Sequence, residues 1–135
     1  MSELGLIHHR VEVEVEYFLA LVAMPLPQLA DFPQDKVEPF RDVYRTFSMA
    51  DAQWVKDKER ITNHDVKAVE YFVKEAMEQL GVGAWKEFVH FGLTSQDVNN
   101  TAVPLSLKRA TEQVVLPLLD ETIADVACLA VEWKE

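Results

Sequence analysis

Hydrophobic residues recur every three or four positions along most of the chain, which is the spacing of one face of an α-helix. The first such stripe runs from Leu4 to Met24 and contains an alternating stretch, 11–16, that on its own would indicate a strand. The helical spacing covers the longer window, and no Gly, Asn or Pro interrupts residues 6–24. We therefore predict a helix with an apolar stripe made of Leu4, Ile7, Val11, Val15, Phe18 and Val22.

A linker containing prolines separates this segment from a second periodic run. Proline lacks an amide donor and constrains the residue before it, so an irregular stretch is expected at Pro25, Pro27 and Pro33. From Gln34 to Arg60 the pattern predicts a single helix, with Asp51 as the one polar residue within the stripe. Acidic residues at its start and basic residues at its end match the helix dipole. Its apolar positions are Val37, Phe40, Tyr44, Phe47 and Trp54.

A third helix is predicted from about Asp65 to Leu80, because a glycine, which suits the residue after a helix end, follows as Gly81. Glu70 and Lys74 form a well-oriented pair of opposite charges one turn apart on this helix. A short aromatic stretch then leads to Gly92; it contains Trp85, Phe88 and Phe91.

The last predicted helix runs from Asp97 to Trp133, kinked at Pro104 and broken or bent near Leu116 by Pro117. Its second half is so aliphatic that we expect it to pack against several neighbours that these residues do not supply. With four glycines in 135 residues and no turn-rich pattern, the fold class is all-α. We divide the chain into a helical domain, residues 1–96, and the first part of a helical bundle, residues 97–135.

Composition and charge narrow the classes of function. Hydrophobic residues make up 49% and charged residues 27% of the chain, the balance of a globular protein. A net charge of −10 repels phosphate backbones, so we expect no nucleic-acid partner. We also expect no membrane partner, since no apolar run approaches a span of ~18 residues. We expect no signal peptide, since no basic region precedes an apolar core at the N-terminus. The single Cys128 suits a reducing, cytoplasmic compartment.

Two helix starts carry more polar groups than a simple cap requires. Both Thr62–Asp65 and Thr94–Asp97 fit T-x-x-D, in which the threonine caps the helix and the aspartate reaches back to it. Capping alone is the commoner meaning of that pattern. The additional side-chain donors stand where free amides already point outward, so either start is also a candidate anion site. These donors are Asn63, His64, Ser95 and Gln96.

The four histidines differ in what surrounds them. His64 can donate a proton or a charge-assisted hydrogen bond near neutral pH. His90 lies among aromatic residues and either lines the same pocket or packs on a neighbouring ring. His8 and His9 have no partner motif and are interpreted as surface or interface residues. We expect no metal site, because the chain has no cysteine pair and no histidine pair one helical turn apart.

Two strings resemble a known enzyme family. The string F-V-H-F-G-L-T-S-Q-D-V-N-N-T-A, residues 88–102, resembles the first signature region of the fumarase/aspartase superfamily. The string T-N-H-D-V-K-A-V-E-Y-F, residues 62–72, is similar to one branch of the adenylosuccinate lyase family, the longer bacterial type. With the flanking helices, the resemblance covers nearly the whole chain. It implies a superfamily N-terminal helical domain followed by the start of a central bundle of long helices.

The resemblance implies a lyase of purine and AMP biosynthesis that acts on a small purine nucleotide without any cofactor. A β-elimination would release fumarate from adenylosuccinate, giving AMP, and from the succinyl-carboxamide ribotide. Asn63, His64 and Asp65 would contact the substrate, and His64 would assist proton transfer. Thr94 and Ser95 would bind a succinyl carboxylate. The resemblance also implies, less directly, that His90 contacts the substrate.

Several family segments are absent from these 135 residues. The T-x-x-H-G-Q-P segment would carry the general acid, the S-S-x-M-P-x-K-x-N-P loop the serine base, and D-G-R-Y would precede the first helix. We therefore expect a fragment with no confident catalytic residue and no lyase activity alone. The full-length enzyme would be a homotetramer in which three subunits build each site. Alternatives are a carboxymuconate-type cycloisomerase, or an assembly module whose motifs are only caps.

Overall fold

Six α-helices account for most of residues 2–134, the part of the chain that this computed structural model describes, and no strand occurs among those residues. The predicted all-α class is therefore confirmed. Short 3₁₀ turns at Pro27–Leu29, Gln34–Lys36 and Gly83–Phe88 and a π-helical turn at Thr111–Val115 join the helices. The helices are α1 Glu3–Ala23, α2 Val37–Arg45, α3 Met49–Thr62, α4 Asp65–Gln79, α5 Ser95–Ala110 and α6 Leu116–Glu132.

Helix α1 lies at the centre of the fold and contacts α2, α3, α4 and α5. Its predicted stripe is confirmed, since Val11, Val15 and Phe18 are completely buried. The acidic residues of the alternating stretch are not all on a solvated face, because Glu12 and Glu14 are also buried. They are tolerated there because each has a basic partner on another segment. These pairings allow a stretch with strand-like alternation to lie within a helix.

The prediction of one helix from Gln34 to Arg60 is wrong. The helix ends at Arg45, and the Thr46 hydroxyl donates to the Asp42 carbonyl at 2.7 Å. A new helix starts after Ser48, whose amide donates to the Asp51 carboxylate at 2.8 Å. This reciprocal cap satisfies the first amides of α3 and allows the chain to turn between two short helices. Asp51, the polar residue within the apolar stripe, thus belongs with Ser48 to the capping box of a second helix.

The end of the third predicted helix is confirmed. Helix α4 stops at Gln79, and Gly81 follows with a positive φ of 77°, a backbone conformation that glycine adopts without steric cost. The predicted pair on this helix also forms, with Lys74 Nζ 3.1 Å from Glu70 Oε1.

The final predicted helix is nearly continuous. Helix α5 runs through Pro104 without interruption, and the irregular turn precedes Pro117. A proline ring clashes with the carbonyl four residues earlier, and the wider π turn relieves such a clash. Every residue of 111–134 is exposed, so the described chain leaves the aliphatic face of α6 uncovered, as predicted. Among the described residues, no helix is both long and apolar enough to cross a membrane.

Candidate functional site

The two motif-bearing helix starts come together in space. His64 Nε2, at the start of α4, lies 3.4 Å from Ser95 Oγ, at the start of α5, although 31 positions separate them in sequence. A helix N-terminus carries unpaired amide donors and a partial positive charge. Two such ends at one place reinforce each other as a site for a negatively charged group.

The start of α4 differs from the predicted T-x-x-D cap. Thr62 is the last residue of α3 rather than the N-cap of α4, and its hydroxyl donates to the His64 carbonyl at 3.1 Å. Asn63 adopts the left-handed conformation, with φ of 53°, which lets the chain reverse within one residue. His64 is the N-cap, since its Nδ1 accepts from the Lys67 amide at 3.1 Å. The prediction failed because Asn63 tolerates positive φ and moves the cap two residues along the chain.

This cap determines the chemistry of His64. A ring nitrogen that accepts a hydrogen bond carries no proton, so in the neutral imidazole the proton is on Nε2. Nε2 is the atom near Ser95 Oγ, and the side chain of His64 is 51% exposed. The geometry therefore presents His64 to an incoming group as a hydrogen-bond donor. Acting as a base at Nε2 would require the ring to give up the helix cap.

The start of α5 has the predicted cap. The amide and hydroxyl of Thr94 both donate to the Asp97 carboxylate, at 2.7 and 2.8 Å. The Thr94 amide holds the pKa of Asp97 below its ordinary value. Gln96 donates along the helix to Asn100 at 2.6 Å, so its amide group is already engaged. Ser95 is the residue of this start that faces His64.

Asp65 is held by a residue that the sequence analysis did not identify. Arg10 of α1 places Nη2 2.8 Å from Asp65 Oδ2, and its Nε donates to Asn99 Oδ1 at 2.9 Å. The other oxygen, Asp65 Oδ1, accepts from the Val66 amide at 2.8 Å. Burial opposes ionisation, but the Val66 amide and the Arg10 charge hold the pKa of Asp65 below its ordinary value. The sequence does contain a signal for this contact, since a charged residue, Arg10, stands directly before the core position Val11.

His90 joins a neighbouring cluster instead of the pair formed by His64 and Ser95. It has a positive φ of 63°, and its Nδ1 lies 2.5 Å from Glu14 Oε1 of α1. Burial raises the pKa of Glu14 although the bond to His90 opposes this effect. Tyr17, one turn further along α1, donates to the Phe91 carbonyl at 2.8 Å. These contacts anchor the loop before α5, and the proposed contact of His90 with substrate stays a prediction.

The other two histidines are half-buried on α1. His8 Nε2 donates to the Tyr44 carbonyl at 3.0 Å, and His9 Nδ1 donates to the Gly5 carbonyl at 2.6 Å. Burial lowers the pKa of His8. With Glu12 they present three possible ligand atoms within 4.8 Å of one another. Both Glu12 oxygens, however, already bind the guanidinium of Arg109, so we assign no metal to this cluster.

Comparisons with known proteins agree with the motifs. A family model described as "Lyase" matches residues 6–135. The adenylosuccinate lyase of Dictyostelium discoideum is 46% identical over 138 residues, covering 98% of this chain and 30% of that protein. The adenylosuccinate lyase of Escherichia coli strain K12 is 40% identical over 136 residues, covering 99% of this chain and 30% of that protein. The chain thus spans about 30% of the length of the curated relatives it matches.

Proposed function

This chain belongs to the lyase family, and we propose that it forms the substrate-binding N-terminal part of an adenylosuccinate lyase. The observation that carries this proposal is the contact between His64 and Ser95, which joins the two motif-bearing helix starts. The reaction is a β-elimination that releases fumarate from adenylosuccinate and from the succinyl-carboxamide ribotide. It has a place in purine biosynthesis and takes a purine nucleotide as substrate.

The proposed role of the helix starts follows from the charge that develops during elimination. Removal of the proton next to a carboxylate spreads negative charge onto that carboxylate, and fixed donors that face it lower the barrier. Ser95 and the first amides of α5 would bind the succinyl carboxylate, and Thr94, whose amide and hydroxyl hold Asp97, would lie beside it. His64 would add a hydrogen bond from Nε2, and Asn63 and Asp65 would line the other side.

Proton transfer is assigned to segments outside these residues. In the neutral tautomer that caps α4, His64 holds its proton on Nε2 and so assists by donating a hydrogen bond. Asp65 has both oxygens engaged, by Arg10 and by the Val66 amide, and is therefore poorly suited to act as the base. The chain by itself should bind a carboxylate weakly and release no fumarate.

The uncovered face of α6 supports self-association, and we propose that the complete enzyme is a homotetramer. Its aliphatic residues are exposed along the whole helix, and large exposed apolar surfaces mark sites of association. We propose that α6 packs with α6 of other subunits in a central bundle, and that the enzyme acts in the cytoplasm.

Fumarate release by the complete enzyme that carries this chain tests the proposal. Purified enzyme should convert adenylosuccinate to AMP and fumarate without added metal or organic cofactor. The variants His64→Asn and Ser95→Ala should keep the assembly and lose most of this activity. Folded wild-type enzyme that releases no fumarate from either succinyl substrate would refute the proposal.

A further inference from the structure

Arg10 connects the two halves of the proposed carboxylate site. It lies on α1 and is 8% exposed. One nitrogen of its guanidinium contacts Asp65 at 2.8 Å, and another donates to Asn99 at 2.9 Å. One buried side chain therefore binds a residue of α4 and a residue of α5 simultaneously.

Each of the two contacts lies next to a residue of the site. Asp65 directly follows His64, and Asn99 lies four residues after Ser95, so Ser95 and Asn99 share one face of α5 on successive turns. A shift of Asp65 or Asn99 relative to Arg10 would therefore change the 3.4 Å separation of His64 Nε2 and Ser95 Oγ. The planar guanidinium keeps its donors in a fixed geometry, which a lysine ammonium does not.

We propose that Arg10 is a positioning residue that sets the distance between the two helix starts and so their affinity for a substrate carboxylate. This inference rests on the proposed function of the same site. Arg10 acts through Asp65 and Asn99, and Asp65 serves mainly as its partner. Asp65 is suited to that role because its remaining oxygen is held by an amide at the start of its own helix.

A second arginine supplies the matched control. Arg109 of α5 also reaches α1, where it binds both oxygens of the buried Glu12. It therefore also joins α1 to α5, but both oxygens of its partner Glu12 bind Arg109 and not a residue of α4 or of the start of α5. Loss of either arginine should weaken the packing of α1 on α5. Loss of Arg10 alone should disturb the site.

The experiment compares Arg10→Lys with Arg109→Lys in the complete enzyme. Thermal unfolding, KM and kcat for fumarate release, and the Kd of succinate by calorimetry would be measured for both. Both variants should lower Tm. Arg10→Lys should also raise KM and the succinate Kd at least about tenfold, because a displaced donor loses a hydrogen bond to a charged group. Arg109→Lys should leave both constants within about twofold of wild type.

Other outcomes have separate meanings. The positioning role would be overturned if KM and the succinate Kd of Arg10→Lys stayed within twofold of wild type. It would also be overturned if both constants changed equally in Arg10→Lys and Arg109→Lys. If Arg10→Lys does not fold, Asn99→Ala is the alternative, because it removes the hydrogen bond between Arg10 and the half-buried Asn99. An unchanged succinate Kd in Asn99→Ala would also overturn the positioning role. Wild-type enzyme that binds succinate but releases no fumarate would refute the proposed function, while the succinate Kd values would still test Arg10.

Discussion

His64 Nε2 lies 3.4 Å from Ser95 Oγ, and each residue stands at the first turn of a different helix. The N-cap bond of His64 leaves a donor at Nε2, and the hydroxyl of Ser95 supplies a second polar group beside it. The partial positive charges of two helix ends add to these groups. In the proposed function, the site is therefore prepared for a carboxylate before any substrate arrives.

Replacing His64 should separate its role as a cap from its role as a donor. Asparagine is a good N-cap but has no group equivalent to Nε2–H, so His64→Asn should change the free energy of unfolding by less than about 0.5 kcal/mol. His64→Ala removes the cap as well and should cost about 1 kcal/mol. Both should lower turnover about 10²-fold or more. Urea unfolding and fumarate-release kinetics on the same samples test this; parallel losses of stability and activity would instead make His64 a structural residue.

Ser95→Ala should affect substrate binding while leaving stability nearly unchanged. The Ser95 hydroxyl is not part of the cap of α5, which Thr94 and Asp97 form. We expect a higher KM or a lower kcat, by about tenfold, from the loss of one hydrogen bond to a charged group. Ser48→Ala is the matched control, because Ser48 caps α3 and should cost about 1 kcal/mol of stability without changing the kinetics. Unchanged kinetics in Ser95→Ala would remove Ser95 from the site.

The buried Glu14 should make stability fall as pH rises. Burial, opposed by His90, raises its folded-state pKa above the ordinary value of 4.5. The stability that it contributes is complete below that ordinary pKa and is lost as pH rises through the folded pKa. Glu14→Gln removes this loss, so the unfolding free energy of the variant minus that of wild type should increase from about pH 4.5 upward.

Glu70 supplies a control for this titration, because its pKa is shifted in the opposite direction. Burial disfavours its charge, but Lys67 and Lys74 hold the pKa of Glu70 below the ordinary value of 4.5. Its contribution to stability is present above that value and lost as pH falls through the folded pKa. The unfolding free energy of Glu70→Gln minus that of wild type, measured by urea unfolding at a series of pH values, should therefore decrease as pH rises. If the difference from wild type changed in the same direction with pH for Glu14→Gln and Glu70→Gln, the opposite pKa shifts assigned to these two residues would be contradicted.

The exposed face of α6 should drive self-association of this chain. Sedimentation velocity of the 135-residue chain should show dimers or larger species at micromolar concentration, because leucine, isoleucine and valine side chains lie uncovered along α6. Leu119→Lys with Ile123→Lys places charges on that face and should yield monomers with unchanged helicity by circular dichroism. A wild-type chain that sediments as a monomer would contradict this prediction.

The helices were predictable where one periodic stripe matched one helix. The stripe of Val11, Val15 and Phe18 predicted α1 despite its alternating stretch, because burial of one face outweighs local strand preference. The same rule joined α2 and α3 wrongly, since a stripe can continue across a tight turn. The signal of that break was Asp51, whose carboxylate accepts from the Ser48 amide.

The motif residues of the candidate site were predictable from the sequence, but the contacts that hold them in place were not. Ser95 and His64 stand at helix starts that sequence patterns identify, whereas their supporting contacts join residues far apart in the chain. Arg10 meets Asn99 across 89 positions, and Glu14 meets His90 across 76. No local pattern encodes such pairs; a charged residue beside a core stripe indicates only that some partner exists.

A double-mutant cycle on His64 and Ser95 tests the central claim most directly. The value of kcat/KM for fumarate release from adenylosuccinate would be measured for wild type, His64→Asn, Ser95→Ala and the double variant. If both residues bind one carboxylate, their effects should be coupled by about 1 kcal/mol or more. Effects that add to within about 0.3 kcal/mol would show that the two helix starts act independently and would contradict a single shared site.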